Sequence, residues 1–89
     1  MTDNEIKEIE DRCKLTTSGP WKSLVEGRDF ESGDSFIMTG ISDGEDIWSG
    51  KRGADIYLTG ATTADQDFIA HAKQDIPKLI AEIKRLKSK

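Results

Sequence analysis

One cysteine and one histidine in 89 residues exclude two of the usual braces of a small domain. Cys13 alone cannot close an internal disulfide, and with His71 it falls short of the four ligands of a structural zinc site. No stretch approaches the roughly 20 apolar residues that a membrane-spanning helix requires, and the first residues carry no apolar run of the secretory type. The expectation is a soluble, intracellular chain with Cys13 reduced. A domain of this length leaves much of its surface in water, so without disulfide or metal the expected supplement to its core is association with further copies. The formal charge of −4 argues against general nucleic-acid binding, which draws most of its affinity from Lys and Arg on phosphates. Charge is unevenly spread: Met1 to Leu15 holds five acids and three bases, Lys78 to Lys89 five bases and one acid. That pattern predicts two solvated helix faces of opposite sign, with a subunit contact as one place where they could meet.

What is present reads as a single α+β domain over residues 1–89. Thr2 with Glu5 fits a capping box, and Ile6, Ile9 and Cys13 follow at helical spacing, which predicts a helix over residues 3–14. Ser18-Gly19-Pro20 ends it, since the residue before proline avoids the helical region and glycine tolerates positive φ. From Trp21 to Gly60 short apolar runs alternate with glycine, predicting an antiparallel meander of three to four strands at Trp21–Val25, Ser35–Ile41, Asp46–Trp48 and Ala54–Thr59. Asp43-Gly44 and Gly50 to Gly53 have the residues of hairpin turns. Phe36 and Met38 alternate with Ile37, Thr39 and Ile41, so both faces of that strand carry apolar atoms; helices against one and a second subunit or a ligand against the other would account for them. Two C-terminal amphipathic helices are expected. Thr63 and Gln66 cap the first, with Phe68, Ile69 and Ala72 on one side; Asp75 caps the second, with Pro77 in its first turn and Ile76, Leu79, Ile80, Ile83 and Leu86 as its stripe.

Short motifs with catalytic associations dissolve on inspection. Gly40-Ile41-Ser42-Asp43-Gly44 matches the string of a nucleophile elbow but leads into another short strand rather than a helix, and reads as a turn. Gly44 to Lys51 has the wrong spacing for a phosphate loop, with Arg52 where Ser or Thr is required. Asp43, Glu45 and Asp46 lack calcium-loop spacing. His71 has no sequence partner for a triad or a metal and reads as a surface or structural residue. Trp21 reads as an anchor of the first strand. The chain is therefore expected to be neither an enzyme nor the holder of a metal or cofactor. One cluster survives: Trp48, Lys51 and Arg52 around one turn, with Arg28 and Phe30 in another loop. Aromatic faces stack on bases and guanidinium forks grip phosphate, so these five could line a nucleotide pocket. The same residue types equally fit a half-buried tryptophan beside a solvated turn.

Two segments resemble a known group. Ile9 to Trp21, closing on Thr17-Ser18-Gly19-Pro20-Trp21, and Asp65 to Leu86, containing Asp65-Gln66-Asp67-Phe68-Ile69-Ala70 and Ile76-Pro77-Lys78-Leu79, together span 35 of the 89 positions and resemble the small phage and prophage proteins that include the Ead-like early-region proteins. A branch with a similar layout comprises anti-defence sponges of the CBASS and Thoeris type, symmetric oligomers that hold a cyclic nucleotide or cyclised ADP-ribose without cleaving it. The resemblance implies a phage protein in the host cytoplasm that sequesters such a signal in a pocket shared by copies of itself. Lys22 to Ala61, where the pocket would lie, matches none of that group's pattern. The alternative expectation is an adaptor or inhibitor that binds a host protein through an exposed apolar patch beside the acidic N-terminal helix.

Overall fold

The computed structural model describes residues 1–40 and 53–88. Within them the chain is α+β: helix α1 (Asp3–Leu15), strands β1 (Trp21–Leu24) and β2 (Phe36–Thr39), and helix α2 (Thr63–Lys87). The α1 capping box is formed, with Glu5 N donating to Thr2 Oγ1 at 3.1 Å and Thr2 N to Glu5 Oε1 at 2.8 Å. The second box is shifted by one residue from expectation. Thr62 is the cap, accepting from Asp65 N at 3.0 Å, and Asp65 returns the bond at 3.1 Å. Gln66 is thereby released to face the sheet.

Strand β1 pairs antiparallel with β2, Trp21 opposite Thr39 and Leu24 opposite Phe36. Among the described residues two strands form rather than the expected three or four. Ala54–Thr59 contributes a single bridge, with Ile37 N donating to Ile56 O at 2.8 Å and Ile56 N to Ile37 O at 2.9 Å. Pairing stops there because the chain must reach the Thr62 cap a few residues later. Asp46–Trp48 lies outside the described residues, as do the Asp43-Gly44 turn and most of Gly50 to Gly53. Strand β2, with a partner on each edge, buries both faces: Ile37, Met38 and Thr39 are all enclosed.

The larger departure is at the C-terminus, where the two expected helices are one of 25 residues with Pro77 inside it. Pro77 has no N–H to give the Lys73 carbonyl, and a proline in a helix interior normally breaks it. Here α1 lies antiparallel across the junction and holds both sides. Lys73 Nζ donates to Cys13 O at 3.2 Å and Thr16 Oγ1 at 2.6 Å before the proline; Lys84 meets Glu10 and Lys87 meets Asp3, each at 2.6 Å, after it. Ile6 and Ile80 are the buried apolar residues of these two helices' own stripes, joined by Ala70 facing the sheet. The acidic and basic runs thus meet within one chain, at Glu10 with Lys84 and Asp3 with Lys87.

Two glutamines two turns apart bind α2 to the sheet. Gln74 presents its amide to the edge of β1 as a neighbouring strand would: Trp21 N donates to Oε1 at 2.8 Å and Nε2 donates to Trp21 O at 3.1 Å. Buried Gln66 directs Nε2 at Ser23 Oγ, Leu24 O and Phe36 O, at 2.9, 3.2 and 3.1 Å. Replacing Gln66 strands these acceptors, so Gln66→Ala is expected to cost about 2 kcal/mol, and Gln66→Glu, which aims a carboxylate at oxygens, more; urea denaturation measures both, and a harmless Glu would refute the bond scheme. In one continuous helix Pro77→Ala restores a lost hydrogen bond and should stabilise by about 2 kcal/mol in the same assay, whereas a proline opening a second helix would make the substitution destabilising.

Candidate functional site

Of the five residues singled out as ligand contacts, two fall among the described residues, and both are engaged by the protein itself. Arg28 sits in a tight loop after β1, where Gly27 takes φ +85°, Asp29 N donates to Val25 O at 2.8 Å and Val25 N donates to Asp29 Oδ2 at 2.8 Å. From that loop its guanidinium makes a two-pronged contact with Asp67 on α2, Nη1 to Oδ2 at 2.8 Å and Nη2 to Oδ1 at 3.0 Å, while Nε reaches Asp29 Oδ2 at 3.0 Å. Hydrogen bonding to Arg28, with a further bond from Ser23, holds Asp67 down at about 2, and Asp29 is lowered by Arg28 and by the Val25 backbone. Asp67 and Asp29 in turn push Arg28 above its ordinary value. In this conformation Arg28 clamps a loop to α2; a phosphate would have to displace two carboxylates to reach it.

Phe30 is likewise occupied. Its ring lies 5.8 Å from that of Phe36 at a 58° tilt, and Phe36 stands 5.7 Å from Tyr57, so the three form a row that ties the loop to the returning chain. The outer end of the row, Tyr57, is 59% exposed. It borders a hollow with Leu58, Asp65, Phe68 and Ile69, and it offers a free aromatic face that reading the residues by their neighbours in sequence did not single out.

Trp48, Lys51 and Arg52 lie outside the described residues, but the two stems of their segment do not. Gly53 N donates to Thr39 O at 2.9 Å, and the enclosed Thr39 Oγ1 donates to Ala54 O at 2.7 Å. A Cβ on Gly53 would fall 2.4 Å from Thr39 Oγ1, and one on Gly40, whose φ is +69°, would fall 2.9 Å from Gly53 N. Gly40 and Gly53 are therefore held together at one narrow point, next to Thr17 and Ser18. No model of a known protein family, no curated protein and no solved structure matches the chain. The residues themselves must carry any functional reading.

Beside Arg28 runs an open groove of about 530 Å³ in which Lys22, His71 and Lys78 are interspersed with Asp67 and Asp75. His71 is exposed there. Trp21 flanks this groove and is an anchor as expected, half-buried, with Nε1 donating to Thr17 O at 3.0 Å and Lys73 Nζ 5.8 Å from its ring. Among the described residues no three His, Cys, Asp or Glu side chains gather as a metal-binding group, and no helix is long and apolar enough to cross a membrane.

The most unusual surface is the outer face of α2. Phe68 is 75% exposed, Leu79 61%, Leu86 55%, Ile69 39% and Ile76 36%. These residues were expected to face the core as stripes of two separate helices. With the helix continuous, the stripe is wider than α1 and the sheet can cover, and its outer half is left in water. For the Arg28 clamp the sign of the pH effect follows from Asp67: its carboxyl sits at about 2 in the fold against an ordinary 3.8, so the clamp stabilises fully above pH ~4 and is lost as pH falls toward 2. The melting temperature of Asp67→Asn should therefore lie below the parent's at neutral pH and converge with it between pH 4 and 2; a gap independent of pH would mean that the pair contributes nothing.

Proposed function

We propose that this chain is a phage protein that works by binding rather than by chemistry, and that its assembly captures a host nucleotide immune signal of the cyclic nucleotide or cyclised ADP-ribose kind without cleaving it. The observation that carries this reading is the uncovered apolar face of α2. Enclosing a nucleotide takes walls on several sides. One small chain has few to offer, and a face of this kind is what joins such chains into a larger enclosure. The likeness of Ile9–Trp21 and Asp65–Leu86 to the Ead-like proteins points the same way, as does the Trp48, Lys51 and Arg52 cluster.

Trp48 stacks on a base and Lys51 and Arg52 meet phosphates in this reading, on a segment whose stems are pinned at Gly40 and Gly53. Arg28 and Phe30 keep a lesser part: Arg28 can join only by leaving Asp67, and Phe30 only by leaving Phe36. Tyr57 is a more available ring. The exposed α2 face also favours a second reading, an adaptor or inhibitor that docks a host protein there.

Titration calorimetry against cyclic di- and trinucleotides and cyclised ADP-ribose species separates the two. The proposal expects binding to at least one, recovery of that compound intact, and a loss of about 10-fold or more in affinity on Trp48→Ala, the size of one lost base stack. Silence across the whole panel, with a host protein retained in stoichiometric amount instead, leaves the adaptor.

A further inference from the structure

The uncovered face of α2 has a regular pattern that names its occupant. Ile69, Ala72, Ile76, Leu79, Ile83 and Leu86 follow one another at spacings of three, four, three, four and three, two and a half heptads with Ile69, Ile76 and Ile83 in the first core position and Ala72, Leu79 and Leu86 in the fourth. The run is unbroken because α2 is unbroken, and Pro77 falls at the second heptad position, off this seam. The chain's own α1 borders it without filling it: α1 lies over Lys73, Pro77, Ile80 and Lys84, its residues Ile9, Arg12, Cys13 and Thr16 share a hollow with Ile69, Ala72 and Ile76, and the two leucines are left largely in water.

We propose that this seam is the interface of a homodimer in which the α2 helices of two copies lie parallel and in register. Isoleucine in the first core position with leucine in the fourth is the choice that suits two parallel strands. The flanking charges agree. In a parallel pair Glu82 lies beside the partner's Lys87, and the Lys73 stem lies beside the partner's Phe68. In an antiparallel pair Asp75 would lie beside the partner's Glu82, like charge against like. A foreign helix would need the same heptad and the same flanks; a second copy has both. Both charged groups lie at the surface, Glu82 paired with its neighbour Arg85 and Lys87 with Asp3 of α1. Two and a half heptads are short for isolated helices, but α1 and the two glutamines already hold α2 folded, so docking need not order it.

The parallel sense has a consequence for the site. Gln66 and Gln74 attach the sheet to the N-terminal half of α2, so both sheets, and both pairs of Gly40 and Gly53 stems, come to the same end of the dimer. An antiparallel pair would place them at opposite ends. The inference rests on α2 alone and does not need a nucleotide.

Sedimentation equilibrium of the full chain is expected to give twice its 9.9 kDa mass. Leu79→Glu should weaken dimerisation by ~100-fold or more, the effect of losing one buried leucine from each side, while Leu15→Glu, at a still more exposed leucine off the seam, should leave it intact. Leu79 is exposed in the single chain, so the variant's circular dichroism should stay that of a folded protein; Leu79→Ala serves if it does not. Orientation is read by Leu86→Cys in a Cys13→Ser background: mild oxidation should link the parallel dimer through Cys at 86. A monomer at all concentrations overturns the proposal, as does a dimer untouched by either Leu79 substitution; a seam-dependent dimer that refuses the crosslink overturns its parallel sense. A dimer that binds no nucleotide keeps this inference and sinks the proposed function, and a monomer that binds one does the reverse.

Discussion

The side-chain amides of Gln66 and Gln74 hold this fold together at its weakest place. A two-stranded sheet presents unpaired backbone at its edges, and such an edge is both a loss of hydrogen bonding and an invitation to aggregate. Gln74 satisfies the edge of β1 at Trp21 in both directions, and Gln66 reaches between the strands to three oxygens. Both come from one face of one helix, eight residues apart, so the sheet is held at a set height and angle along α2. The loop clamped by Arg28 and the stems at Gly40 and Gly53 inherit their positions from that docking.

The same docking explains why α2 survives its proline. The sheet holds the helix up to Gln74 and α1 holds it from Lys73 to Lys87, so the weak turn is bridged by contacts that start before it and end after it. Continuity then has a cost in solvation. A helix of 25 residues carries a longer apolar stripe than a 13-residue helix and four-residue strands can cover. Phe68, Leu79 and Leu86 are left exposed for that geometrical reason, and it is on this surface that the proposed dimer rests.

Legibility in the sequence followed the range of the interactions. The α1 capping box, the switch from helix to strand at Trp21 and the α+β class were readable because caps, periodicity and turns depend on neighbours within four or five residues. Asp75 and Pro77 read as the start of a helix for the same reason, and were misread because Lys73, Lys84 and Lys87 find their partners 60, 74 and 84 positions away. Arg28 and Phe30 had the right chemistry for a ligand, but Asp67 and Phe36 reach them first, and no local pattern links Arg28 to a carboxylate 39 residues on. The heptad run is present in the sequence, yet with a helix start expected at Asp75 and Pro77 it reads as two ordinary core-facing stripes.

By itself the amino-acid order determined the α+β class, the capped helix α1, the turn into strand at Trp21 and the apolar spacing of the C-terminal segment, since these are set by backbone preference and side-chain spacing over a few residues. Only the tertiary structure decided that the two C-terminal segments are one rod, that Arg28 is a clamp, and which half of the apolar stripe stays in water, because each depends on which distant surfaces arrive first to compete for the same atoms.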